Sequence, residues 1–199
     1  MTYSEPARTT TRLLVVVAAI GAVLGYQSLA SSPAASPTNV VRGEDRGSLG
    51  QADGAVPDDT TVFDGEIPAV ANLDPALLGA LHQAATDAVG QGVELLVNSG
   101  WRSPEYQEHL LREAVAEYGS EKEASRWVAT PETSPHVSGD AVDVGPFGAT
   151  AWLSEHGAEY GLCQIYGNEP WHYELRPEAI VRGCPPMYAD PTQDPRVQQ

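Results

Sequence analysis

Two short blocks of this chain carry residues that can do chemistry together. One runs Ser134-Pro135-His136-Val137-Ser138-Gly139-Asp140-Ala141-Val142-Asp143, the other Glu169-Pro170-Trp171-His172. His136, Asp143 and His172 offer two imidazole nitrogens and a carboxylate oxygen, a donor set suited to one zinc ion. Three protein ligands leave a fourth tetrahedral position open to a reactant. Glu169 stands three residues before His172 in a Pro-containing turn. A carboxylate beside a metal but not bound to it can take a proton from water and pass it to a leaving amine. The chemistry indicated is metal-assisted hydrolysis. Each ligand imidazole needs its second nitrogen held by a carbonyl or carboxylate. Asp140 and Glu174 are both candidates, and the sequence leaves the choice open.

The elements around these blocks set how they meet. Asp74-Pro75 opens a helix, because Asp caps free N–H groups and Pro suits the first turn. Leu77, Leu78, Leu81, Ala84, Ala85 and Ala88 follow at helical spacing, and Gly90 or Gly92 ends it. Residues 93–97 read as a short buried strand. Ser103-Pro104 opens a second helix through about Tyr118, and Ser120 with Glu123 begins a third that ends near Val128. His136 is expected in a loop leading into the strand 141–144. Residues 148–160 are expected to be helical. Residues 162–166 and 171–175 read as two antiparallel strands joined by the turn 167–170. Side chains alternate along a strand, so Asp143 shares a face with Ala141, and Val142 and Val144 point into the core. His172 likewise shares a face with Glu174. The class expected is α+β: a small antiparallel sheet carrying the metal site, packed against several helices.

Charge and composition bound the rest. The chain has 199 residues and a formal charge of −16, with one lysine, Lys122. Such a field repels phosphate backbones, so no nucleic-acid partner is expected, and a soluble monomer is. Residues 1–30 place Arg8 and Arg12 before an apolar run from Leu13 to Leu24, then Ser28-Leu29-Ala30. This is a signal peptide or, through residues 13–30, a membrane anchor; either leaves the remainder outside the cytoplasm. Residues 31–66 are rich in Ser, Ala, Pro, Gly and Asp and read as a flexible linker, residues 67–190 as the catalytic domain, and 191–199 as a flexible tail. Cys163 and Cys184 are the only cysteines, and outside the cytoplasm a bridge between them is expected. The tryptophans 101, 127, 152 and 171 read mainly as core packing, with Trp171 kept as a substrate contact because it flanks a ligand. His82, His109 and His156 read as peripheral.

The order of Ser99-Gly100-Trp101-Arg102-Ser103, the Ser-x-His-x-x-Gly-x-Ala-x-Asp block from Ser134, the stretch from Trp152-Leu153 to Tyr160-Gly161, and Glu169-Pro170-Trp171-His172 resembles the VanY-type D-alanyl-D-alanine carboxypeptidases, zinc peptidases of the bacterial cell wall. The likeness covers roughly residues 70–185. It implies one zinc ion on His136, Asp143 and His172, Glu169 as general base, and Arg102 steadying the scissile carbonyl as charge develops on its oxygen. Ser134, by its place in the block, is implied to bind the terminal group of a peptidoglycan stem peptide. Two other readings stand beside it: an L-Ala–D-Glu endopeptidase of the same fold, and a non-catalytic zinc-containing module that binds the wall. Glu174 and the cysteine pair depart from the family pattern, and Glu174 adds negative charge where a neutral or basic neighbour would suit a metal ligand better.

Overall fold

The computed structural model describes residues 49–197. The export signal or anchor at 1–30 and the first part of the expected linker, to residue 48, lie outside the described residues. Two proline-led helices come first. Helix α1 is Pro68–Ala71. Helix α2 is Pro75–Val89, with the Asp74 side chain accepting the N–H groups of Ala76 and Leu77. Its face of Leu77, Leu81, Ala84, Ala85 and Ala88 is buried. Each fully buried leucine there contributes about 1.5–3 kcal/mol of transfer free energy.

Strand β1, Leu96–Ser99, begins three residues later than the apolar run suggested. The Val93 N–H bonds back to Ala88 O, so residues 90–93 still close the end of α2. Helix α3, Pro104–Tyr118, is capped by Ser103 and stops at the left-handed Gly119. Helix α4 is the single turn Glu121–Ala124, shorter than expected, and the chain continues to Val128 in turns bonded to Ala124 O. Helix α5, Pro135–Ser138, stands where a loop was expected, so His136 sits on a helical turn. Strand β2 is Ala141–Gly145 and helix α6 Phe147–His156. The expected helix to Tyr160 tightens into a 3-10 turn at 157–160, where Gly157 lies too close to Leu162 O to admit a side chain. Strands β3, Leu162–Gln164, and β4, His172–Leu175, follow, then helix α7, Ala179–Arg182.

The four strands form one antiparallel sheet in the order β1-β2-β4-β3. Helix α2 covers one face, and its leucines meet Val97, Val142, Val144, Trp152, Leu153, Leu162 and Tyr173 in a single core. Val142 and Val144 point inward as the alternation requires. The architecture is the α+β sheet-and-helix arrangement expected.

Both boundaries of the folded part move outward. Within the expected linker, Val62 is buried, Val97 N–H bonds to Thr60 O at 2.7 Å, and Thr61 bridges Leu96. His82 Nε2–H reaches Val62 O at 2.8 Å and its ring stacks on Phe63. Val62 and the partly buried Val56, with the free edge of β1 and the Asp53 carbonyl on Ser103 N–H, dock a polar-looking segment. Within the expected tail, Asp190 and Asp194 are buried and residues 191–193 form a 3-10 turn; residues 198–199 lie outside the described residues. Ion pairs of Arg126 with Asp190 and of Arg196 with Glu174 and Asp194, beside the one buried Pro191, hold that end down, and composition alone could not reveal them.

Cys163 and Cys184 form a disulfide with Cα atoms 5.5 Å apart. It ties β3, whose Cys163 pairs with Glu174 of β4, to the segment after α7. Opening this 21-residue loop is expected to cost about 3 kcal/mol. Urea unfolding of a Cys163→Ser, Cys184→Ser protein measures it; an unchanged midpoint would show that the bridge adds nothing.

Candidate metal centre

Strand register builds the centre. Asp143 of β2 is directly opposite His172 of β4 and also Ser99 of β1, so three strands deliver polar groups to one row. His136 arrives from α5. Its backbone is placed by Gly139, which has φ +81°, a left-handed conformation natural to glycine, and whose Cβ position would lie 2.5 Å from Asn72 O. Gly100 lies as close to Ala69, which lets its carbonyl reach the His136 ring.

Ring partners decide which nitrogens face inward. His136 Nδ1 lies 2.8 Å from Gly100 O; a carbonyl only accepts, so Nδ1 carries the proton and Nε2 keeps its lone pair. His172 Nε2 faces Glu174 Oε1 at 3.4 Å and turns Nδ1 toward Asp143. Glu174 is therefore the partner of His172. Asp140 is exposed and bonds Ser138 instead; the His136 partner is the Gly100 carbonyl, which a side-chain inventory cannot show.

The remaining donor atoms converge. His136 Nε2 lies 3.5 Å and His172 Nδ1 3.1 Å from Asp143 Oδ1. The edge of a tetrahedron around zinc with bonds near 2.05 Å is about 3.3 Å, so the spacing fits that ion. All three residues are buried, and their ligand atoms fall within 4.8 Å of one another. Burial by itself would raise the Asp143 carboxyl, but His136 and His172 hold it well below the usual carboxylate range. Burial likewise disfavours charge on His172, yet its bonds to Asp143 and Glu174 outweigh this and raise it to about 9. His136 is lowered, by burial first and by the Arg102 charge second. The cluster thus attracts positive charge to the point between its donors.

Glu169 is buried beside them, its Oε2 3.7 Å from His172 Nδ1 and its Oε1 without any hydrogen-bond partner. Burial pushes its pKa up to about 7, against the pull of His172. A base with that affinity operates efficiently near neutral pH. Arg102 is held in three directions: Nε donates to Ser99 Oγ at 2.8 Å, Nη1 to Gln107 Oε1 at 3.0 Å and Nη2 to Asp143 Oδ2 at 3.1 Å. A guanidinium has five N–H groups, so each Nη keeps one N–H beyond these bonds. Ser134 is buried and its Oγ has no partner.

These side chains line one cavity of about 410 Å³, which Trp171 also borders. The cavity extends past Glu113, Glu117 and Tyr118, which the sequence did not single out for a site, and past Trp127, which it read as core packing. Trp127 is partly exposed and stacks on Tyr118 at 5.9 Å, so only Trp152 of the four tryptophans is a buried core residue. Gln107 was missed as well: it is buried and joins Arg102 to Ala129 O, a link across 22 positions that no local pattern signals. His82, His109 and His156 lie apart from the centre, on Val62 O, Glu113 and Glu159.

Residues 71–178, more than half of the chain, match the family model described as VanY: D-alanyl-D-alanine carboxypeptidase. A D-alanyl-D-alanine carboxypeptidase of Enterococcus faecalis is 32% identical over 139 residues, which are 56% of this chain and 52% of that protein. The chain thus spans about half the length of this curated relative. Among solved structures, VanYB in complex with D-alanine-D-alanine is 30% identical with a TM-score of 0.51, covering 56% of this chain and 74% of that one. The LdcB LD-carboxypeptidase is 25% identical with a TM-score of 0.53, covering 66% and 72%.

Proposed function

This chain belongs to the VanY family of D-alanyl-D-alanine carboxypeptidases, and on that footing we propose that it is an exported, zinc-dependent enzyme that removes the terminal D-alanine from peptidoglycan stem peptides. The observation that carries the reading is the buried trio His136, Asp143 and His172 with the partnerless Glu169 Oε1 beside it. A site that only stored a structural ion would need neither a free carboxylate oxygen nor a guanidinium with N–H groups to spare. Export is supported by the disulfide and by the charged and apolar start of the chain.

His136, Asp143 and His172 would hold the zinc ion, which when bound would supply Lewis acidity to a water and to the scissile carbonyl. Glu169 takes the proton of the attacking water on Oε1 and delivers it to the departing amine of D-alanine. Arg102 keeps its plane through Ser99, Gln107 and Asp143 and donates its spare N–H groups to the oxygen on which charge develops. Ser134 bonds the substrate's terminal group and Trp171 contacts the substrate, a reading supported by the unpartnered Ser134 Oγ and by the place of both residues on the cavity wall.

The test is D-alanine release by the purified protein from a peptide ending in D-Ala-D-Ala. Release is expected to stop with a chelator and return with zinc. A shortened stem with no free D-alanine would point to cleavage at L-Ala–D-Glu. Zinc binding without any peptide cleavage would establish the non-catalytic alternative.

A further inference from the structure

Glu174, one of the two carboxylates offered by the sequence to hold a ligand imidazole, is itself held by groups that the sequence did not connect to it. It is 1% exposed and lies on β4 between Ala141 of β2 and Cys163 of β3. Its Oε1 faces His172 Nε2 at 3.4 Å. Arg196 grips it with both arms of the fork: Nη1 to Oε2 at 2.6 Å and Nη2 to Oε1 at 3.2 Å. Arg176 adds a bond to Oε2 at 2.6 Å. Arg196 is fixed in turn by the fully buried Asp194, which accepts its backbone N–H at 2.9 Å and its Nε–H at 3.1 Å. Asp194 Oδ2 accepts the Tyr166 hydroxyl at 3.1 Å, and the Tyr166 ring lies 5.0 Å from that of His172. The chain of contacts therefore closes on the imidazole where it began. Asp194 and Arg196 lie beyond residue 178, where the family match ends.

We propose that Arg196 is a positioning residue for the metal: its fork on Glu174 locks the His172 ring with Nδ1 toward the ion, making the C-terminal segment 190–197 a working part of the centre. The proposal rests on the zinc reading above. A bidentate charged pair fixes the carboxylate plane, and a fixed carboxylate fixes the ring that donates to it. Loss of the carboxylate behind a metal-bound histidine weakens metal binding about 10- to 100-fold, and loosening its grip is expected to fall at the low end of that range, about 10-fold. Without Arg196 the carboxylate keeps Arg176 and stays satisfied, but it can rotate and the ring with it. Arg196 is itself nearly half exposed, so its removal opens no cavity in the core.

The experiment measures the zinc affinity of the full-length chain by competition with a chromophoric chelator. Arg196→Ala is expected to bind zinc about 10-fold more weakly. Arg196→Lys, which returns a charge without the fork, is expected to fall between Arg196→Ala and the unaltered chain. Arg126→Ala removes another anchor of the same segment, the 3.1 Å bond to Asp190, without touching Glu174, and should leave zinc affinity unchanged. Unaltered affinity in Arg196→Ala overturns the proposal, and so does an equal loss in Arg126→Ala, which would mean general loosening. Should Arg196→Ala fail to fold, Arg196→Lys decides by the same measurement, with wild-type affinity overturning the proposal. An unaltered chain with no affinity for zinc would instead bring down the metal reading itself, and this proposal with it.

Discussion

Glu169→Gln is expected to slow D-alanine release by about 10²- to 10⁴-fold while zinc stays bound. The amide keeps the size and the hydrogen-bonding outline of the carboxylate but cannot accept a proton. Two features of its surroundings make the loss large. Burial raises its affinity for a proton to a pKa of about 7, so at neutral pH it can both take a proton and give it back. Its Oε1 is buried without a protein partner, and the residue borders the cavity, so no hydrogen bond within the protein competes for its lone pairs. Glu169 Oε2 is 3.7 Å from His172 Nδ1, and Asp143 bridges the two histidines more closely, so the donor trio survives the substitution. The check is kcat together with metal content measured on the same sample. A variant that holds zinc and turns over at the unaltered rate removes Glu169 from the mechanism.

Arg102→Ala is expected to cost about 10²- to 10³-fold in kcat, the loss typical when one donor to a developing oxyanion is removed. The side chain is 13% exposed and spans from Ser99 at the strand edge to Gln107 on α3 and Asp143 at the centre. It therefore also steers the carboxylate that helps hold the ion. Arg102→Lys separates the two roles. Lysine restores a positive charge near Asp143, so zinc affinity should largely recover. It cannot reproduce three fixed directions and two spare donors, so kcat should stay low. A rise in KM with kcat unchanged in both variants would make Arg102 a substrate-binding group and not a stabiliser of charge in the transition state.

How far the sequence reached follows from the range over which each feature is encoded. The cap of α2 was legible because Asp74 and Pro75 satisfy the helix start within three residues. The inward set Val142 and Val144 was legible because alternation is a property of one strand. The turn of α5 carrying His136 could have been read, since Pro135 sits at its first position and Gly139 at its stop. The docking of residues 49–66 could not, because it depends on the free edge of β1, an element separated from it in the chain. The same holds for Arg196, whose partner Glu174 lies 22 residues away.

By itself the sequence determined which side chains are chemically able to hold a metal and move a proton. Donor identity is a property of the residue, and two short motifs carried all of the donors. It also determined that a small sheet with helices on it would present them, because periodicity is local. Only the tertiary structure decided which nitrogen of each imidazole faces inward. A backbone carbonyl at Gly100 and a carboxylate at Glu174 make that choice by occupying the other nitrogen. It also decided that the last described residues belong to the centre: an arginine finds its buried carboxylate through space, and no spacing along the chain records that meeting.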